Sequence, residues 1–296
     1  MKIAISGATG MTGQFFLERL SKFKPLTDVT CLVRESSNRQ FIETLPLKLS
    51  YHIGDIYNEE DWDRIFQSQE FDAVLHLAHI RATPTIVSSL KKSHQTPRLI
   101  VIGTTGGFSK YNQYAQMYID AEECFNTYEG SHCLVRPTMI YGSPMDLNLH
   151  KLIKFCHKFG FFPVFGQGNS LLQPIHADDI AQVLLSALQN PQVHGDYNIS
   201  GGTVISFKDL ISLVEKILDK PIKKVFIPLG LGINLASLSE RILATRSPIK
   251  KEQVLRLQED KVFSHEKAKS DLGFSPRTLE EGLRQEVELM RTQGLI

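Results

Sequence analysis

Met1-Lys2-Ile3-Ala4-Ile5-Ser6-Gly7-Ala8-Thr9-Gly10-Met11-Thr12-Gly13 opens the chain, and its reading decides the fold. Met1–Ser6 is a short apolar run with the character of a strand. The glycine-spaced stretch follows at once, and an amphipathic run from Phe15 to Leu20 continues from it. Strand, glycine turn and helix in that order aim backbone N–H groups and a helix N-terminus at one point, an arrangement that receives a pyrophosphate. Gly7 permits the sharp turn, Gly10 lets the backbone approach the phosphates without a Cβ, and Gly13 lets the helix pack against the strand. Thr9, Met11 and Thr12 fill the turn between them and are candidate cofactor contacts.

Outward from that turn, strand-like and helix-like runs alternate. Asp28–Val33, Leu49–Ile53, Ala73–Leu77, Leu99–Ile102 and Cys133–Arg136 are apolar and rich in β-branched residues. Glu59–Gln69, Pro84–Ser93 and Gln113–Thr127 carry helical spacing between them. Repeated strand–helix units predict an α/β fold, a doubly wound parallel sheet of Rossmann type with right-handed crossovers. The ligand crevice then lies at the carboxyl ends of the strands. After Gly142 the rhythm changes. Helical stretches joined by a Phe159–Pro163 loop predict a smaller, mostly helical substrate region. The expected division is 1–142 for the dinucleotide-binding unit, with 173–200 returning to it, and 143–172 with 201–296 for the substrate region.

Bulk properties bound the function. At 296 residues and 42% hydrophobic, the chain can bury a large core. Its 33 basic and 32 acidic residues leave a net charge of +1, which argues against a nucleic-acid partner. Cys31, Cys124, Cys133 and Cys156 show no metal-ligand spacing, so no metal is expected. Cys31 and Cys133 fall in strands and predict buried thiols, which suit a reducing cytoplasm. Because the first residues already form the functional strand, no cleaved leader is expected. Two uncharged runs, Phe159–Ile175 and Val225–Ser239, are too short and too broken by Gly and Pro to span a bilayer.

The second strand ends at Val33, where an acidic residue would take the ribose hydroxyls of NAD. Here Arg34 stands, with Ser36, Ser37 and Arg39 beyond it. A guanidinium holds phosphate oxygens bidentately, so the expectation is NADP, with NAD as the alternative should Glu35 face the ribose instead. Gly54-Asp55-Ile56 falls where the adenine end lies. Asp55 can accept from the exocyclic amine or cap the next helix. Leu77, Ala78 and His79 end the fourth strand beside the cofactor's path.

These pieces resemble the extended short-chain dehydrogenase/reductase superfamily, in its NAD-dependent epimerase/dehydratase branch. The resemblance continues through Arg136-Pro137-Thr138-Met139-Ile140-Tyr141-Gly142 and Pro174-Ile175-His176-Ala177-Asp178-Asp179-Ile180-Ala181. It ends with Lys267-Ala268 and Leu272-Gly273-Phe274-Ser275-Pro276-Arg277. It implies that Arg136, Pro137 and Thr138 contact the nicotinamide. Asp178 and Asp179 read as helix-start residues that favour the dipole.

The family's chemistry uses a tyrosine, a lysine four residues later, and an upstream Ser or Thr. The cation lowers the phenol pKa toward neutrality. Aligned through Ala121-Glu122, Tyr114 takes the tyrosine position and Tyr118 the lysine position, with Thr104 and Thr105 upstream. Tyr111, Tyr114 and Tyr118 share one face at helical spacing. That face is either catalytic or an aromatic stripe packed on the sheet or on a partner, a homodimer included. An unassisted tyrosine titrates near 10. Leu172 stands where relatives that act on nucleotide-sugars carry an arginine for the diphosphate, so Arg241, Arg246 or Lys250 would have to reach in. The expected activity is therefore an NAD(P)-dependent oxidoreductase or epimerase on a sugar-like or carbonyl substrate. Nucleotide-linked and lipid-linked sugars are the candidate substrate classes. The alternative is a dinucleotide-binding module, redox-sensing or assembling, with reduced catalysis.

Overall fold

The computed structural model describes residues 1–243 and 250–296. In chain order the strands are β1 (Lys2–Ser6), β2 (Asp28–Val33), β3 (Lys48–Ile53), β4 (Ala73–His76), β5 (Arg98–Ile102), β6 (His132–Pro137), β7 (Ile140–Tyr141), β8 (Phe161–Phe165), β9 (Leu171–Leu172), β10 (Ile175–His176), β11 (Gly195–Ile199), β12 (Ile205–Ser206) and β13 (Lys223–Ile227). The helices are α1 (Met11–Phe23), α2 (Gln40–Glu43), α3 (Glu59–Ser68), α4 (Thr83–Ser93), α5 (Ala115–Asn126), α6 (Leu149–Phe159), α7 (Ala177–Gln189), α8 (Phe207–Leu218), α9 (Leu229–Leu243), α10 (Lys251–Arg256), α11 (Glu266–Leu272) and α12 (Leu279–Thr292).

Seven strands form one sheet in the order β11-β6-β5-β4-β1-β2-β3, and every pairing in it is parallel. The chain runs outward from β1 to β3, then crosses back to β4 on the other side of β1. The switch point therefore lies between the ends of β1 and β4, where ligands bind in open α/β sheets. Side chains alternate across the pleat as a two-residue period requires. Ile3 and Ile5 join Phe16, Leu17, Ile180 and Leu184 on one face. Ala4, Val74 and Leu99 meet Trp62, Ile86 and Phe125 on the other.

A third core gathers Tyr141, Ile153, Val164, Leu210, Val214, Leu283 and Val287 from the C-terminal half. From the same half, α11 and its exit pack Ala268 and Phe274 into the sheet-side core. The second half carries more strand than its sequence suggests. Three two-stranded pairs, β10/β7, β12/β9 and β13/β8, lie outside the main sheet. Phe161–Phe165 is strand β8 rather than a loop. It tolerates Pro163 because a two-stranded pair leaves one edge without a ladder to feed. Val225–Ser239, the second uncharged run, forms the end of β13 and most of α9, with Pro228 between them. Cys31, Cys133 and Cys156 are buried free thiols. Among the described residues no helix is long and apolar enough to cross a membrane.

Candidate functional site

The turn after β1 is built as its glycines demand. Gly7 has φ +81°, in the left-handed region, and a Cβ there would lie 2.6 Å from the Leu77 carbonyl carbon. A Cβ on Gly13 would overlap the Gly7 carbonyl oxygen. A Cβ on Gly10 would meet only that oxygen, at 3.3 Å, and otherwise project into open space. Gly10 is the N-cap of α1. No side chain caps the helix, and its first turn has no acidic residue. Its leading N–H groups and the positive end of its dipole are therefore free for an anion. These residues fit a dinucleotide pyrophosphate.

A cleft of about 960 Å³ opens beside this turn, at the carboxyl ends of β1, β4, β5 and β6. Met11, Thr12, Leu77, Ala78, His79, Thr104, Thr105, Pro137 and Thr138 line it, so nine of the residues singled out from sequence converge on one cavity. The Thr104 hydroxyl accepts from the Gly106 N–H at 3.0 Å, and the Thr105 hydroxyl donates to the Pro137 carbonyl at 3.2 Å. Thr138 donates to the Gln173 carbonyl. His79 caps the short turn Ile80–Ala82. Burial and the neighbouring Arg81 hold His79 below the usual histidine range.

The tyrosines are arranged differently from the expectation. Tyr111 and Tyr118 line the cleft, and the Tyr118 ring lies 5.7 Å from that of His79. Tyr114 opens instead on an adjoining hollow shared with Lys250 and Gln253, with Arg81 over its ring at 5.2 Å. The helix begins only at Ala115, because the Asn112 side chain accepts from the Tyr114 N–H at 3.1 Å and holds a turn. The three tyrosines therefore do not share a helical face.

Arg136 is not among the residues lining the cleft. Its guanidinium is held by Glu122 at 2.6–2.9 Å and by Asp196, whose carboxyl it holds below the usual range. Arg136, which the resemblance places against the nicotinamide, thus sits in a strand-end ion pair. Arg34 is exposed just past β2 and lies in a turn with Ser37. Glu35 is exposed beside it. Asp55 accepts from the Tyr57 N–H at 3.0 Å, and the Ile56 carbonyl accepts from Trp62. Asp178 and Asp179 sit in the first turn of α7, but the cap itself is His176. Their carboxylates hold Arg277, and Asp178 also holds Arg19.

Lys261 and Arg256 line the same cleft. Lys261 forms an isolated bridge with Leu172, the position that lacks the family's arginine. Burial and the nearby Arg256 keep the Lys261 ammonium below the usual lysine range. The Nε of Arg256 is buried without a hydrogen-bond partner. Arg256 is also ion-paired with Glu252 at 3.6 Å, whereas Glu259 accepts from Ser109 and the Lys110 N–H, and Asp260 from the Leu171 N–H. No spacing rule exposed Lys261 in the sequence, since its partner lies 89 residues away along the chain, as the bridge between positions 172 and 261 records. Arg241 does not line the cleft, and Arg246 lies outside the described residues.

Asp146 also lines the cleft, capping α6 through the N–H groups of Asn148 (2.6 Å) and His150 (3.1 Å). Beneath it, Glu286 is fully buried and accepts from the Gly142 N–H at 3.2 Å. Burial and the neighbouring Asp146 push the Glu286 carboxyl up to about 10.

The sheet order, the glycine turn and the cleft together define a doubly wound dinucleotide-binding protein. Residues 3–100 match the NAD dependent epimerase/dehydratase family. Mouse short-chain dehydrogenase/reductase family 42E member 1 is 29% identical over 177 residues, which cover 55% of this chain and 44% of that protein, so the match spans less than half its length. The human protein of that name is 23% identical, with 85% of this chain and 79% of that one covered. UDP-glucuronic acid 4-epimerase from Bacillus cereus, solved with UDP-glucuronic acid and NAD, superposes with a TM-score of 0.77 at 20% identity over 99% of this chain and all of that one. Residues 3–100 are thus similar to the NAD dependent epimerase/dehydratase family, and along its length the chain shares the fold of the solved epimerase.

Proposed function

We propose that the chain is an NADP-preferring oxidoreductase or epimerase acting on a sugar-like or carbonyl substrate that carries an anionic group, such as a nucleotide-sugar. The observation that carries this reading is the cleft that Met11 and Thr12 line together with Lys261 and Arg256. A bound nicotinamide would supply hydride chemistry. The chain's own residues supply the rest. The α1 N-terminus takes the pyrophosphate, and Arg34 with Ser37 takes the 2′-phosphate. Thr104 or Thr105 orients the substrate oxygen, and Lys261 with Arg256 holds the anionic group. Proton exchange falls to Tyr118, which lines the cleft where Tyr114 does not. A cytoplasmic setting accords with the buried free thiols. The test is stereospecific loss of NADPH absorbance across a panel of carbonyl and nucleotide-sugar substrates. No turnover on any of them would sink the enzymatic reading.

A second reading is a dinucleotide-binding module with reduced catalysis, serving redox sensing or assembly. It is favoured by one observation: no lysine follows any of Tyr111, Tyr114 and Tyr118 by four residues. NADPH binding without turnover would select it.

A further inference from the structure

Between Asp146 and Asp178 the chain carries no acidic residue, yet it holds Lys151, Lys154 and Lys158. All three are exposed on α6, at i, i+3 and i+7, away from the buried Leu152, Ile153 and Cys156. Aromatic side chains stand among them. The Phe155 ring lies 4.7 Å from that of Phe159 and 5.5 Å from that of Phe161. Phe159 is 50% exposed and Phe161 38%. The Lys158 ammonium sits 5.1 Å from the centre of the Phe159 ring.

The neighbouring strand continues the surface. Lys223 and Val225, both exposed, are in register with Phe161 and Pro163. The Lys220 ammonium reaches the His157 carbonyl and brings another charge to the end of α6. Lys224 is matched by Glu215 at 3.9 Å and adds nothing. Among the described residues, none of Lys151, Lys154, Lys158, Lys220 and Lys223 is in an ion pair. A chain of net charge +1 thus concentrates unpaired positive charge around one exposed aromatic patch.

We propose that this face, formed by α6 and the β8–β13 pair, rests on an anionic lipid surface. Aromatic rings of this kind settle at the boundary between headgroups and acyl chains. Lysines extend their aliphatic stems over that apolar surface and place their charges among anionic headgroups. Charge complementarity selects the occupant: an uncharged apolar partner would leave five cations uncompensated at its rim. The contact is peripheral, since no helix among the described residues is long and apolar enough to cross a bilayer. It places the protein where a lipid-linked substrate would be met.

Vesicle flotation tests the proposal on the full chain, with phosphatidylcholine vesicles alone and with phosphatidylserine added. The expected result is flotation that requires phosphatidylserine and weakens with salt. The double variant K154E/K158E should cut the bound fraction by about tenfold or more, since each lysine contributes about fivefold. F159S/F161S should also reduce it. All these positions are exposed, and an unchanged melting temperature confirms that the variants fold. Absence of phosphatidylserine-dependent flotation, or flotation indifferent to K154E/K158E, overturns the proposal. So does a concentration-dependent dimer that the same variants dissociate, which would assign the face to a second copy.

Discussion

Ser6 on β1 and His76 on β4 are joined by a 2.6 Å hydrogen bond across the switch point of the sheet, directly beneath the glycine turn. The other ring nitrogen of His76 meets the His79 carbonyl at 2.9 Å. A carbonyl only accepts, so Nε2 carries the proton and Nδ1 accepts from the Ser6 hydroxyl. Both residues are fully buried, and burial pushes His76 down to about 4. The neutral ring thus ties the two strands whose ends flank the glycine turn and the cleft.

This pair predicts an acid-sensitive fold. In the unfolded chain a histidine takes its proton near 6.5, whereas in the fold His76 does so near 4. The unfolded state binds more protons in that window, so stability falls as pH drops through it, on the order of 3 kcal/mol for this group. Thermal melts between pH 7 and pH 4 measure it. S6A leaves the buried Nδ1 without its donor and should cost about 1–3 kcal/mol at pH 7. A flat pH profile with an innocuous S6A would show that the pair is not structural.

The glycines of the turn should separate binding from folding. G10V should abolish dinucleotide binding while leaving the melting temperature near that of the parent, because its side chain enters open space, where the proposed pyrophosphate site lies. G13A should instead destabilise the fold by roughly 1–3 kcal/mol or more, because its Cβ overlaps the Gly7 carbonyl. Calorimetric titration and melting of the two variants check both halves. Binding that survives G10V would mean the turn is not the phosphate site.

Cofactor choice rests on Arg34. Calorimetry should give tighter binding of NADPH than NADH. R34A should weaken the phosphate-bearing cofactor selectively, by roughly 1.5–3 kcal/mol for a charged hydrogen bond. Equal affinities in the parent protein would mean that Arg34 serves only solvent and that Glu35 takes the ribose.

Glu286 predicts the opposite pH response to His76. Burial and Asp146 raise its carboxyl to about 10, so the folded protein keeps a proton that the unfolded chain releases above the ordinary glutamate range. The stability from this group is fully present below the unfolded value and is lost as pH rises toward 10. E286Q removes the titration and should make the protein relatively more stable than the parent at pH 9 than at pH 6. Parallel pH profiles for the two proteins would dismiss the raised carboxyl.

Much of the fold was legible because its signals are local. The turn glycines sit within seven residues, and the alternation of Ile3, Ala4 and Ile5 assigns each side chain to a sheet face. What escaped was set by contacts distant in sequence or by a competing local bond. Lys261 enters the site through its bridge to Leu172, which no periodicity reveals. The tyrosine spacing looked helical, but Asn112 holds a turn that delays the helix to Ala115. β8 reads as a loop until β13, 62 residues on by the register of Phe161 with Lys223, supplies its ladder.

The tyrosines make the decisive test of catalysis. Tyr118 lines the cleft with Thr104 and Thr105, its ring 5.7 Å from that of His79, whereas Tyr114 shares the adjoining hollow with Lys250. A proton carrier must come within hydrogen-bond reach of the reacting oxygen, and geometry comes before pKa. Y118F removes only a hydroxyl and should lower turnover by about 10²-fold or more, the usual scale for losing a general acid–base group. Y114F should leave turnover near that of the parent. The reverse pattern, with Y114F inactive and Y118K more active or shifted to a lower pH optimum, would restore Tyr114 to the family's tyrosine role and make Tyr118 the vacant lysine position. If both single variants keep full turnover, the tyrosines are structural and proton transfer resides on another group of the cleft.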